Sequence, residues 1–192
     1  MHDDLAARYY HLLGAKRRVL DLGCGIGEFG RCKPSGGLKV FGIDINKNNL
    51  REARKWESVV LCDLDEEKIP FRSGSFDAVL AKDILEHVYR PWKIMAEINR
   101  VLVTDGRLLV NAPLPKPDVV WNDYTHVRGF TKQALQQLLM DYGFEVMQFG
   151  QMGGLRGFGR LNLVNFLPMI MNLPLVGRLL AINNEVLSKK IS

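Results

Sequence analysis

Val19-Leu20-Asp21-Leu22-Gly23-Cys24-Gly25-Ile26-Gly27-Glu28-Phe29-Gly30 reads as a short apolar strand running directly into a glycine-rich turn. Glycine lets the backbone turn sharply and approach a ligand closely, and a helix opening just beyond offers free N–H donors. Only ten residues, Glu28 to Gly37, separate Gly27 from the next apolar run, and they include Pro34 and Gly36-Gly37. The first crossover helix is therefore short or broken, because proline and paired glycines end helices.

The same alternation continues outward from this loop. Leu38–Ile45, Ser58–Cys62, Phe76–Ala81, Arg107–Asn111 and Phe144–Phe149 read as further strands, and Asn183–Lys190 as a last, antiparallel one. Between them, Asn46 caps a helix with Leu50, Ala53 and Trp56 as inner positions. Pro91–Leu102 places Ile94, Met95, Ile98, Val101 and Leu102 on one helical face. Asp105-Gly106 is a turn, and Thr131 caps a helix with Ala134, Leu135, Leu138 and Leu139 inward, stopped by Gly143. Parallel strands need helical crossovers, so the fold class is α/β: a doubly wound, mostly parallel seven-stranded sheet with helices on both faces.

Composition narrows the class further. The chain has 192 residues, a formal net charge of +5, and is 47% hydrophobic and 24% charged, which suits one globular domain rather than disorder. Its basic residues are dispersed apart from Lys16-Arg17-Arg18, so nucleic acid is not an expected partner. Cys24, Cys32 and Cys62 form no CxxC pair, which argues against a disulfide framework or a zinc site, and no metal is expected. Met1-His2-Asp3-Asp4 lacks the basic-then-apolar order of a secretory signal, so the expected location is cytoplasmic.

Two cofactors compete for the first loop. Gly25-x-Gly27-x-x-Gly30 matches the dinucleotide fingerprint, which keeps an NAD(P)-dependent oxidoreductase as an alternative. Yet the match is out of register, because Gly23-x-Gly25 already occupies the turn. An ionised Asp21 would also repel a pyrophosphate, whereas it suits an ammonium or sulfonium. The run Val19-Leu20-Asp21-Leu22-Gly23-x-Gly25-x-Gly27 resembles the first motif of class I S-adenosyl-L-methionine-dependent methyltransferases, and the likeness extends over about residues 17–150. It implies a cofactor site of Asp21, Gly23, Cys24, Gly25 and Gly27, with Asp44 and Ile45, Asp63 and Leu64, and Lys82 at the next strand ends. In that family Asp44's position holds both ribose hydroxyls, and Asp63's accepts from the adenine amino group.

Methyl transfer from a sulfonium is an in-line displacement, in which alignment supplies most of the help. A base is needed only if the acceptor loses a proton. The candidates for base or acceptor binding are His126, His87 and Asp83, with Asp123 and Tyr124 nearby. Trp121–Arg128 resembles the Asp-x-Thr-His-x-Arg segment of many small-molecule, lipid and glycan methyltransferases, which makes those the expected acceptors. Residues 1–16 are expected to form a helical lid or plain packing helix, and 151–182 an apolar helical insertion within the single 1–192 domain. Prolines and asparagines break that insertion into pieces too short to span a bilayer. Peripheral membrane contact through 155–182 and homo-oligomerisation stay open, as does an inactive cofactor-binding module.

Overall fold

The computed structural model describes residues 3–14, 17–153 and 181–191. Its elements follow the chain as α1 (Asp3–Leu13), β1 (Arg18–Leu22), α2 (Glu28–Arg31), β2 (Lys39–Asp44), α3 (Lys47–Ala53), β3 (Ser58–Leu61) and β4 (Phe76–Lys82). There follow α4 (Pro91–Val101), β5 (Leu102–Pro113), α5 (Pro117–Val120), α6 (Lys132–Asp141), β6 (Phe144–Gly153) and β7 (Ala181–Lys190). One seven-stranded sheet runs in the order β3-β2-β1-β4-β5-β7-β6. The five strands from β3 to β5 pair in parallel, while β7 is antiparallel to both β5 and β6.

Both faces of the central strands β1, β4 and β5 are buried, and their side chains sort between the faces with period two. Leu20 and Leu22 of β1, Val79 and Ala81 of β4, and Leu108 and Val110 of β5 pack in one cluster, with Ile94, Met95 and Ile98 of α4. Val19, Ala78, Leu80 and Leu109 pack on the other side with Tyr9, Tyr10 and Leu13 of α1. Asp21 follows Val19 by two residues, so its carboxyl falls on the α1 side and is 5% exposed.

The expected lid stretch holds α1, which packs as a wall of this second layer. Tyr10 donates to the Phe29 carbonyl at 2.8 Å and stacks on its ring at 4.1 Å. Arg8 pairs with Glu185, and Arg107 donates to the Leu12 carbonyl at 2.7 Å.

Several local readings need correction. Trp56 lies beyond the end of α3 and is exposed, while its neighbour Glu57 turns inward. Leu102 opens β5 rather than closing α4, and Asp105-Gly106 forms a bulge inside β5, with Asp105 at φ 62°. Ala134 is exposed because Leu135 and Leu139 take the inner face of α6. The strands β6 and β7 also claim 151–153 and 181–182, trimming both ends of the expected insertion. The rest of it, with any membrane contact or self-association through 155–182, lies outside the described residues. Among the described residues no helix is long and apolar enough to cross a membrane.

Candidate cofactor and acceptor site

Strand order reverses between β1 and β4, and in open α/β sheets ligands bind at the carboxyl edge beside such a reversal. Two cavities meet there at Gly23. One, of about 140 Å³, is lined by Asp44, Ile45, Asp63, Leu64, Ile84 and His87 among others. The second, of about 380 Å³, is lined by Asp21, Cys24, Gly25, Asn49, Lys82 and Asp83 among others. The carboxyl ends of β1, β2 and β4, and the residues just after β3, thus feed one continuous crevice.

Nine of the ten expected cofactor residues line these walls, and Gly27 does not. Gly27 sits at φ 80° ahead of α2, where a Cβ would stand 2.8 Å from the Ala53 Cα. It is glycine because α3 passes this close. Gly25 differs: at φ 55°, an added Cβ would meet nothing within 4 Å, so its open side faces the cavity. Gly30, the third glycine of the dinucleotide fingerprint, lies inside α2 against Glu57, 2.7 Å from where its Cβ would be.

Asp44 Oδ2 accepts from the Gly25 N–H at 2.8 Å and Oδ1 from the Asn46 N–H at 2.7 Å. A carboxylate has about four acceptor positions, so both oxygens keep capacity for two ligand hydroxyls. Asp63 Oδ1 accepts from the Asp65 N–H at 2.9 Å, which folds the turn beyond β3 around Leu64.

The floor of the second cavity is electrostatically unusual. Burial holds the Asp21 carboxyl well above the ordinary carboxylate range; nearby Glu57 pushes the same way, and Lys82 opposes. Glu57 is itself buried, and its carboxyl is pushed up to about 7 by desolvation, with the neighbouring Cys24 thiol opposing. Sequence reasoning missed Glu57, whose position at the start of a strand carries no motif. Lys82 pairs with its neighbour Asp83, whose φ of 50° turns the chain away from β4.

The expected acceptor residues gather above this floor. Asp83 and His87 line the two cavities, and His126 packs edge-on against His87 with ring centroids 4.6 Å apart. His126 lines neither cavity. The Val127 N–H donates to the Glu86 carbonyl at 2.9 Å, which ties the segment after β4 to the segment after α5. Thr125 Oγ1 lies 2.9 Å from His87 Nδ1 and donates to Asp123 at 2.6 Å, while His126 Nδ1 lies 2.7 Å from the Val120 carbonyl. A carbonyl only accepts, and the Thr125 proton is committed to Asp123. The network therefore assigns the proton of both rings to Nδ1 and leaves both Nε2 atoms as acceptors. Burial, and His126 after it, lower the His87 pKa. Burial pushes Glu86 up to about 8. Glu86 was visible in Asp83-Ile84-Leu85-Glu86-His87, but only the fold shows that it faces inward beside His126.

A parallel sheet switching at β1, a glycine turn beneath it and acidic residues at successive strand ends define a Rossmann-like α/β fold with an acidic crevice at its carboxyl edge. Residues 20–110 match the family model described as "Methyltransferase domain". The chain is 32% identical over 141 residues to a malonyl-[acyl-carrier protein] O-methyltransferase of Legionella pneumophila, covering 66% of this chain and 49% of that one. It is 31% identical over 139 residues to a 27-O-demethylrifamycin SV methyltransferase of Amycolatopsis mediterranei, covering 67% and 51%. This chain thus spans about half the length of these curated relatives. The crystal structure of a SAM-dependent methyltransferase from Archaeoglobus fulgidus superposes with a TM-score of 0.79 at 22% identity, covering 98% of this chain and 92% of that one. Residues 20–110 thus carry a methyltransferase domain, and the chain is similar to class I S-adenosylmethionine-dependent methyltransferases. Its residues fit that cofactor: Gly25 leaves space where a side chain would intrude, and buried Asp21 waits for a positive charge.

Proposed function

We propose that the protein transfers a methyl group from S-adenosylmethionine to an oxygen of a small-molecule acceptor, lipid- and glycan-borne hydroxyls included. The observation that carries this reading is the convergence of Asp21, Asp44 and Asp63, from three successive strand ends, on cavities joined at Gly23. The bound cofactor supplies an electrophilic methyl on a sulfonium. Asp44 is placed to hold the ribose hydroxyls, Asp63 and the Leu64 backbone to face the adenine, and Asp21 with Gly23, Cys24, Gly25 and Lys82 to hold the methionine end. His87, His126 and Asp83 stand at the acceptor end and position its hydroxyl. Relatives named for O-methyl transfer support oxygen as the atom methylated.

Thermal unfolding with added ligands tests the cofactor. S-adenosylmethionine or S-adenosylhomocysteine at about 100 times its dissociation constant should stabilise the chain by roughly 2.7 kcal/mol, and NAD should not. A melt shifted by NAD alone would overturn the reading. Transfer of a labelled methyl into extract fractions, recovered as an ether or ester, checks the acceptor; label recovered only on nitrogen would overturn the oxygen assignment.

A further inference from the structure

We propose that Glu86, His87 and His126 bind a divalent first-row transition cation at the acceptor end of the site. The binding stands on its own; only the use of the cation rests on the methyl-transfer reading above. One ligand atom from each of the three side chains lies within 4.8 Å of the other two. Two imidazoles and a carboxylate suit ions such as Zn²⁺, Co²⁺ or Mn²⁺.

The three groups are prepared as ligands and not merely adjacent. Both rings spend Nδ1 on outer partners, Thr125 for His87 and the Val120 carbonyl for His126. Outer hydrogen bonds of this kind orient ligating histidines and leave Nε2 for the metal. Glu86 is only 1% exposed, and its Oε2 has no hydrogen-bond partner among the described residues. With both ring protons committed elsewhere, neither neutral histidine can donate to it. A buried carboxyl group left this way is costly, and a cation that takes the place of its proton among the three groups removes the cost. The backbone bond between Val127 and Glu86 holds together the two segments that carry the three side chains.

Three protein ligands leave a coordination position open. An acceptor hydroxyl placed there gives its proton to water more readily. Its oxygen then forms the new C–O bond as the methyl–sulfur bond breaks, and that electron pair stays on sulfur. His87 also lines the cofactor cavity, which sets the cation at the border between cofactor and acceptor.

Titrating Co²⁺ into the full chain, read by its visible d–d absorption, tests the site without any methyl transfer. The expected result is one saturable Co²⁺ per chain, displaced by Zn²⁺, without a thiolate charge-transfer band. Glu86→Gln and His126→Gln should each weaken binding by about 10- to 100-fold or more. His11→Gln, at an exposed position of α1, should change nothing. No saturable binding, a thiolate band, or unchanged affinity in Glu86→Gln and His126→Gln would each overturn the proposal. Should those variants fail to fold, Zn²⁺ added to the wild-type chain must still perturb the Nε2 resonances of two of its four histidines. Perturbation of none overturns it equally. A chain that binds Co²⁺ but is not stabilised by S-adenosylmethionine or its demethylated product would refute the methyl-transfer reading and leave the metal site standing.

Discussion

Asp44 is the residue proposed above to hold the ribose hydroxyls, and it also accepts the Gly25 and Asn46 N–H groups. Asp44→Ala should therefore raise the dissociation constant for S-adenosylhomocysteine by at least about 10-fold, since each hydrogen bond to a charged group contributes about 1.5–3 kcal/mol. Isothermal titration checks it, and unchanged affinity would remove Asp44 from the site. Asp21 supports a pH prediction. Glu57, Lys82, Asp44, Cys24 and Tyr10 face it, and its pKa is raised. A cationic ligand prefers the ionised carboxylate, so affinity for S-adenosylmethionine should rise with pH through the neutral range. The rise should be shallower for S-adenosylhomocysteine, which has lost the sulfonium charge. Parallel pH titrations of the two affinities decide it. Residue identities at the strand ends could be read directly from the sequence because their chemistry is local. Glu57 and the inward turn of Glu86 could not, since each depends on a partner brought from elsewhere in the chain.

At the scale of elements, the central strands were legible because both their faces are buried and apolar runs such as Val79-Leu80-Ala81 leave little ambiguity. The helix caps were legible for the same local reason: Asn46 accepts from the Asn48 and Asn49 N–H groups, and Thr131 from that of Ala134. Where the reading went astray, tertiary pairing had overridden a local signal. Asp105-Gly106 has the composition of a turn, yet pairing with β4 absorbs it as a bulge. The one-turn α5 escaped notice because a proline-flanked tetrapeptide has no periodicity to read. Gly27 joins α2 to α3 by close approach to Ala53. Gly27→Ala should thus cost roughly 2–5 kcal/mol, combining left-handed strain with overpacking against Ala53. Urea unfolding measures this, and a loss below about 0.5 kcal/mol, the range of ordinary surface substitutions, would contradict the packing account.

For the whole molecule, the buried acids make stability depend on pH. Asp21 and Glu57 both have carboxyl groups raised above their ordinary range, so the folded chain binds more protons than the unfolded one between the two sets of pKa values. Stability is then greatest at the acidic end of that window and falls as pH climbs from about 4.5 toward 7. Urea midpoints of the ligand-free protein should drop between pH 5 and pH 7.5, and Glu57→Gln should flatten the slope; a midpoint that climbs across this range would refute it. The overall topology was legible as a mostly parallel sheet with a reversed last strand. That β7 slots between β5 and β6 was not, because strand order is a long-range property that no short window encodes.

That insertion governs how the domain comes into being. As the ribosome extends the polypeptide, β5 and β6 emerge with a vacant lane between them, and the lane is filled only by residues 181–190. Until those residues clear the exit tunnel, two unpaired strand edges are open to wrong partners, so that interval is when the nascent domain most needs chaperones.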